Sequence, residues 1–153
     1  MIVDNAWSGT LHGMPAHGAS AERKKRVEPR DVDLFAQLSG DRNPLHFDAD
    51  AAQSSRFGGL IAHGGIISSI LNAVVAEDLS GPGSVFLSVE WRFVKPVYIG
   101  DTIIGRVEVT HVREDKPICV LATTVRNQRG EICLSGSAAT YTAALRAHAS
   151  ATL

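Results

Sequence analysis

From Gly64 to Ala76 the chain carries no charged side chain. Ile66, Ile67, Ile70, Leu71, Val74 and Val75 recur there at helical spacing, with the small residues Ser68, Ser69, Ala73 and Ala76 between them. A helix of this kind has no polar face to turn toward water, so the rest of the chain must enclose it. Leu79-Ser80-Gly81-Pro82-Gly83 ends it.

The enclosing material is predicted to be strands. From Val85 to Phe93 apolar and polar residues alternate, with Val85, Leu87, Val89, Trp91 and Phe93 on one face and Ser88, Glu90 and Arg92 on the other. Thr102 to Arg113, Ile118 to Val125 and Ile132 to Thr142 follow as further strands. The last two connections, Glu114-Asp115-Lys116-Pro117 and Asn127-Gln128-Arg129-Gly130, are hairpin-like. One buried helix and an antiparallel meander make an α+β fold. The economical arrangement is a sheet curled round the helix, its remaining face or edge closed by a second copy.

Upstream, Pro29 suits a first helical position, Asp31 and Asp33 favour the positive helix start, and Gly40 is a natural stop. Val32, Phe35 and Ala36 form the apolar face of that helix, with Leu38 near its edge. Asn43-Pro44 imposes an extended or turn geometry, and Asp48 is placed to cap a short helix from Ala49 to about Arg56. Phe57 to Ile61 is loop. Ala19 to Val27 reads as a short edge strand, and the run Arg23-Lys24-Lys25-Arg26 as its solvated, aggregation-resistant surface or as a phosphate contact to a ligand or partner. Residues 1–18, rich in Gly, Ala and His without period, are expected to be a loose leader or an extended lead-in.

At 153 residues the chain is one domain, with 44% apolar and 20% charged residues. A net charge of −1 gives no global pull toward nucleic acid. No apolar run reaches membrane-spanning length and no secretory signal is visible, so no membrane partner and a cytoplasmic location are expected. A turn centred on Gln128-Arg129 would set Cys119 opposite residues near Ala138 and Cys133 opposite residues near Thr124. The two are therefore read as free, buried thiols. His12, His17, His111 and His148 are read as structural or exposed.

The chemistry concentrates between the first helix and the buried one. Asp41 and His46 are five residues apart across a proline-fixed turn, so a carboxylate and an imidazole can converge on one water, one taking a proton and the other giving or orienting. Asn43 lies between them with an amide able to hold the loop or the water. The same residues also fit a capped turn, with Asp41 bonding nearby N–H groups and His46 satisfied in the core. His63-Gly64-Gly65 opens the buried helix, where N–H groups lack internal partners and carry partial positive charge. Such a start can hold an enolate-like oxygen of a thioester attacked at its β-carbon; it can equally be room for a tight turn. A metal held by Asp41, His46, Asp48 and His63 is conceivable but has no ligand signature. No Gly-x-Ser-x-Gly, Walker or dinucleotide motif is present.

The run Phe35-Ala36-Gln37-Leu38-Ser39-Gly40-Asp41-Arg42-Asn43-Pro44-Leu45-His46, with Ala52, Phe57 and Ile61-Ala62-His63-Gly64, resembles the motif of the MaoC-like (R)-specific enoyl-CoA hydratases, a hot-dog fold family. Phe86 to Ile103 and Val109 to Val125 extend the likeness, which covers roughly Leu11 to Ala143. The resemblance implies a hot-dog domain over 19–145 with a tail at 146–153, a sheet wrapped round the central helix, and a homodimer with a continuous sheet. It implies syn hydration of a trans-2-enoyl-CoA thioester by Asp41 and His46. Gly64 would hold the thioester oxygen, with Asn43 and His63 in the substrate-binding set and no metal or redox cofactor. Asn72 stands where a relative has serine near the acyl pocket, and a larger side chain there would shorten it. Dehydration of carrier-protein-linked 3-hydroxyacyl chains, a hot-dog thioesterase, and a non-catalytic acyl-thioester-binding subunit are the competing readings.

Overall fold

The computed structural model describes residues 5–145. The expected tail at 146–153, with His148, and the first four residues of the expected leader lie outside that range. Strand β1 (Ser20–Arg26) leads to α1 (Pro29–Ser39), two short helices α2 (Pro44–Phe47) and α3 (Ala49–Ser54), and the long helix α4 (Gly64–Ala73). Strands β2 (Ser84–Phe93), β3 (Thr102–Val112), β4 (Ile118–Arg126) and β5 (Ile132–Thr142) complete one antiparallel sheet in the order β1-β3-β4-β5-β2. Helix α4 packs against β1, β3, β4 and β5.

The core forms as the apolar pattern requires. Ile66, Ile67, Ile70, Leu71, Val74 and Val75 are all buried, against Ile103, Val107 and Val109 of β3 and Leu121 and Val125 of β4. The helix lies close to the sheet because Gly105 has no side chain: a Cβ there would stand 2.5 Å from Ile70 Cγ2. A π-helical turn, Val74–Asp78, extends α4, closed by Leu79 N–H donating to Val74 O. Periodicity alone does not distinguish this turn from ordinary helix.

Three local expectations are corrected. Trp7, inside the stretch expected to be a loose leader, is buried, and its indole N–H donates to Arg113 O at 2.7 Å. A single docking aromatic leaves no period to read. In β2, Leu87 is an extra residue between Phe86, opposite Thr140, and Ser88, opposite Ala139. The bulge switches faces, so Phe86 rather than Val85 lies on the inner side, edge-on to Trp91 at 5.8 Å. The five apolar residues expected on one face of that strand therefore do not share it. Finally, Cys119 stands opposite Thr140, two residues from Ala138, because Cys133 is an extra residue between Ile132, opposite Arg126, and Leu134, opposite Val125, and this bulge advances the β4–β5 register. Both cysteines are nonetheless free and buried, Cys119 against the hydroxyls of Ser80 and Thr140.

The basic run lies on the sheet edge as expected. There Arg23 forms a two-pronged bond to Asp78 and Lys25 pairs with Asp31. His12, His17 and His111 are exposed.

Candidate active site

Helix α1 ends where Gly40 takes the left-handed conformation, φ 80°, and returns its N–H to Ala36 O. The chain then doubles back through a series of side-chain caps. Asp41 N–H donates to Ser39 Oγ, Asn43 N–H to Asp41 Oδ1, and Leu45 N–H to Asn43 Oδ1. Pro44 opens α2, a short helix where only a turn was expected, and α2 carries His46 inward. Asp48 caps α3 by accepting from Asp50 and Ala51 N–H, which occupies it away from the other acids and imidazoles.

His46 is buried, and its Nδ1 lies 2.7 Å from Ile61 O. A carbonyl only accepts, so Nδ1 carries the proton and Nε2 is the working nitrogen. Nε2 stands 3.9 Å from Asp41 Oδ2, whose side chain is 46% exposed. That gap is too long for a direct hydrogen bond and short enough for one water to reach both atoms at about 2.8 Å. The capped turn and the acid–imidazole pair are thus compatible: Asp41 uses Oδ1 for the turn and Oδ2 for the pair.

His63 caps α4 immediately before Gly64. It is buried, its Nε2 lies 2.9 Å from the main-chain carbonyl of Asp41, and its ring stacks on His46 with centroids 3.8 Å apart and planes 28° apart. The rings of Phe35 and Phe47 flank it. The N–H groups of Gly64 and Gly65 have no acceptor among the described residues. The two glycines differ in their surroundings. A Cβ on Gly65 would lie 2.2 Å from Phe35 Cζ, whereas one on Gly64 would meet only the Phe93 ring at 3.2 Å. Gly65 therefore makes room for α1 to cross, and Gly64 leaves an N–H group beside the stacked pair.

Asp41, His46 and His63 bring ligand atoms within 4.8 Å of one another. The ring planes of the two imidazoles lie 28° apart with centroids 3.8 Å apart, so their in-plane lone pairs lie in separate, nearly parallel planes, and one ion in both planes would require a ring to turn. A cleft of about 200 Å³ reaches His46 between Pro29, Val32, Phe47, Leu60 and Ile99. A second of about 200 Å³ runs between α1 and α4, lined by Leu34, Phe35, Leu38, Ile66 and Ser69. Asn72 is exposed on α4, eight residues or about 12 Å along the helix from Gly64, and lines neither cleft. The structure does not bring it to the pair.

Two parts of this arrangement carried no sequence signal: the carbonyls of Ile61 and Asp41, each of which fixes one ring nitrogen. Every residue has a carbonyl, so only the folded chain reveals which ones are used.

Residues 12–129 match the family model described as the MaoC like domain. The chain is 39% identical over 121 residues to an (R)-specific enoyl-CoA hydratase of Aeromonas caviae, covering 79% of this chain and 90% of that protein. The solved structure of the (R)-hydratase from A. caviae involved in PHA biosynthesis superposes with a TM-score of 0.81 at 36% identity, over 84% of this chain and 98% of that one. A mitochondrial 3-hydroxyacyl-[acyl-carrier-protein] dehydratase of Arabidopsis thaliana is 38% identical over 95 residues, 61% of this chain and 56% of that protein.

Proposed function

The chain belongs to the MaoC-like family and has the hot-dog fold, and from that premise we propose that it hydrates trans-2-enoyl-CoA to (R)-3-hydroxyacyl-CoA, reversibly and on short-to-medium acyl chains. The observation that carries the reading is the 3.9 Å gap between Asp41 Oδ2 and His46 Nε2, open to solvent on the Asp41 side and adjoining the start of α4. A water in that gap is hydrogen-bonded by both groups. Its oxygen bonds to the β-carbon while one proton passes to one member of the pair. The pair returns that proton to the α-carbon on the same face, and so ends in the protonation state in which it began. The carbon–carbon double bond is consumed and no redox partner is needed.

As the β-carbon is attacked, negative charge moves onto the thioester oxygen. Gly64 N–H, at the positive end of α4, is the donor for that oxygen. Asn43 acts at one remove: its carboxamide oxygen caps α2 and so fixes the entry of His46. The apolar cleft that reaches His46 between Pro29, Val32, Phe47, Leu60 and Ile99 offers a surface on which an acyl chain could lie beside the pair.

A homodimer belongs to the same proposal. Strand β2 is an open edge; Leu87, Val89 and Phe93 on it, and Val94 just past its end, are 43–57% exposed. Val89 and Phe93 face the inner side, opposite Ala138 and Leu134. A second copy pairing along β2 would continue the sheet and cover them.

Hydration of crotonyl-CoA, followed by loss of enoyl absorbance and chiral analysis of the product, tests the reaction, and a C4 to C12 series tests the chain length. No turnover on any enoyl thioester would overturn the proposal. The second reading, dehydration of 3-hydroxyacyl chains on a carrier protein, is favoured by the likeness to the Arabidopsis dehydratase. A strong rate preference for the carrier-linked over the CoA-linked substrate would select it.

A further inference from the structure

His63 is 1% exposed, and its Nδ1 is, among the described residues, the buried side-chain polar atom that has no hydrogen-bond partner. Packing alone does not explain an imidazole there. The ring is surrounded by Phe35, Phe47 and His46, and a phenylalanine would fill the space without burying an unpaired nitrogen. What requires nitrogen is the opposite side of the ring. Nε2 lies 2.9 Å from Asp41 O, and since that partner only accepts, Nε2 must carry the proton. Nδ1 is then the bare nitrogen that this tautomer leaves behind.

The same ring lies against the face of His46 at 3.8 Å. Two contacts that orient the acid and the imidazole therefore meet in one side chain: the carbonyl of Asp41 and the plane of His46. Ile61 O on His46 Nδ1 fixes rotation within that plane. We infer that His63 is a positioning residue, a buried clamp that sets the spacing between Asp41 and His46, rather than a contact to substrate. The inference rests on the hydratase reading for its effect on rate, though not for the clamp itself.

Three substitutions separate the two ties. His63→Gln keeps an N–H donor at the same number of bonds from Cβ, so it can hold the Asp41 carbonyl but cannot stack. His63→Phe keeps the ring against His46 and loses the donor. His63→Ala loses both. With crotonyl-CoA, kcat of His63→Ala is expected to fall by roughly 10²-fold, the scale of a misplacement of about 1 Å, with KM changed by less than about 3-fold. The Gln and Phe variants are expected between Ala and wild type. A raised KM with kcat intact would assign His63 to substrate contact and overturn the clamp, and so would equal kcat in all three variants. If the Ala variant does not fold, the Gln and Phe variants against wild type give the same decision.

A measurement without turnover keeps the two readings apart. In ¹⁵N-histidine-labelled protein, His46 should show a protonated Nδ1 and a bare Nε2. Its signals are expected to stay sharp in His63→Phe and to broaden in His63→Gln. Unchanged His46 signals in both variants would overturn the clamp even if the wild-type chain hydrates nothing. Broadened signals in a protein that hydrates no enoyl thioester would uphold the clamp and reject the hydratase reading.

Discussion

Asp41 divides its work between its two oxygens, and that division makes it testable. Oδ1 accepts from Asn43 N–H and holds the turn; Oδ2 faces His46. Asparagine keeps an oxygen for the turn and loses the proton acceptor. Asp41→Asn is therefore expected to leave the thermal melt near wild type while lowering crotonyl-CoA hydration by roughly 10²–10⁴-fold. His46→Ala should lose activity on the same scale. It also leaves Ile61 O without its ring donor, an added loss of about 1–3 kcal/mol of stability. Wild-type rates in both variants, with intact folds, would remove the pair from the mechanism. The approach of Asp41 to His46 was legible from spacing because a proline-fixed turn leaves few conformations, and the capped turn that the same spacing allowed is present beside it. The contacts of the two imidazoles with Ile61 O and Asp41 O were not legible, because their partners are main-chain carbonyls.

Among the elements, the start of α4 separates steric from chemical roles. Gly65→Ala would place a methyl group 2.2 Å from Phe35, so that ring must shift, and a destabilisation of about 1–3 kcal/mol is expected in denaturant melts. Gly64→Ala meets a ring edge at 3.2 Å and should cost less stability. A larger stability loss at Gly64 than at Gly65 would refute this assignment. The β4–β5 turn gives a pH test. Lys95, Asn127 and Arg129 all donate to the Glu131 carboxylate and hold its pKa at about 2 against an ordinary 4.5. A carboxylate depressed by folding stabilises fully above its unfolded value and loses that contribution as pH falls through the folded one. Glu131→Gln should therefore lower Tm at pH 7, with the difference from wild type closing between pH 4.5 and about 2. A difference that stays constant over that window would refute it. Added salt should shrink the pH 7 difference, since the group is exposed. Helix α1 was legible end to end because Pro29 and Gly40 are local signals. The β2 bulge and the position of Cys119 were not, because register depends on which residue of another strand stands opposite.

For the whole molecule, enclosure of α4 was implied by a segment without charges, and the sheet supplies it on one side, burying Ile66, Ile67, Ile70 and Leu71 while Ser69 and Asn72 stay exposed on the other. What a single chain leaves unresolved physically is β2. It ends the sheet with unpaired backbone groups and carries Val85, Leu87, Val89 and Phe93 at 43–56% exposure. An edge that is both open and apolar invites uncontrolled strand pairing unless a defined partner occupies it. A second copy fits for a specific reason: antiparallel pairing of β2 with itself is two-fold symmetric, so one contact closes and leaves no further edge there. The chain mass is 16.3 kDa, so sedimentation equilibrium should return twice that value at micromolar concentration. Leu87 stands at the bulge with 55% of its surface exposed, where a charge disturbs the edge without entering the core. Leu87→Lys is expected to shift the mass toward the single chain while far-UV circular dichroism stays unchanged. A wild-type mass of one chain would reject the β2 dimer. A Leu87→Lys mass still at two chains would move the interface elsewhere on the surface.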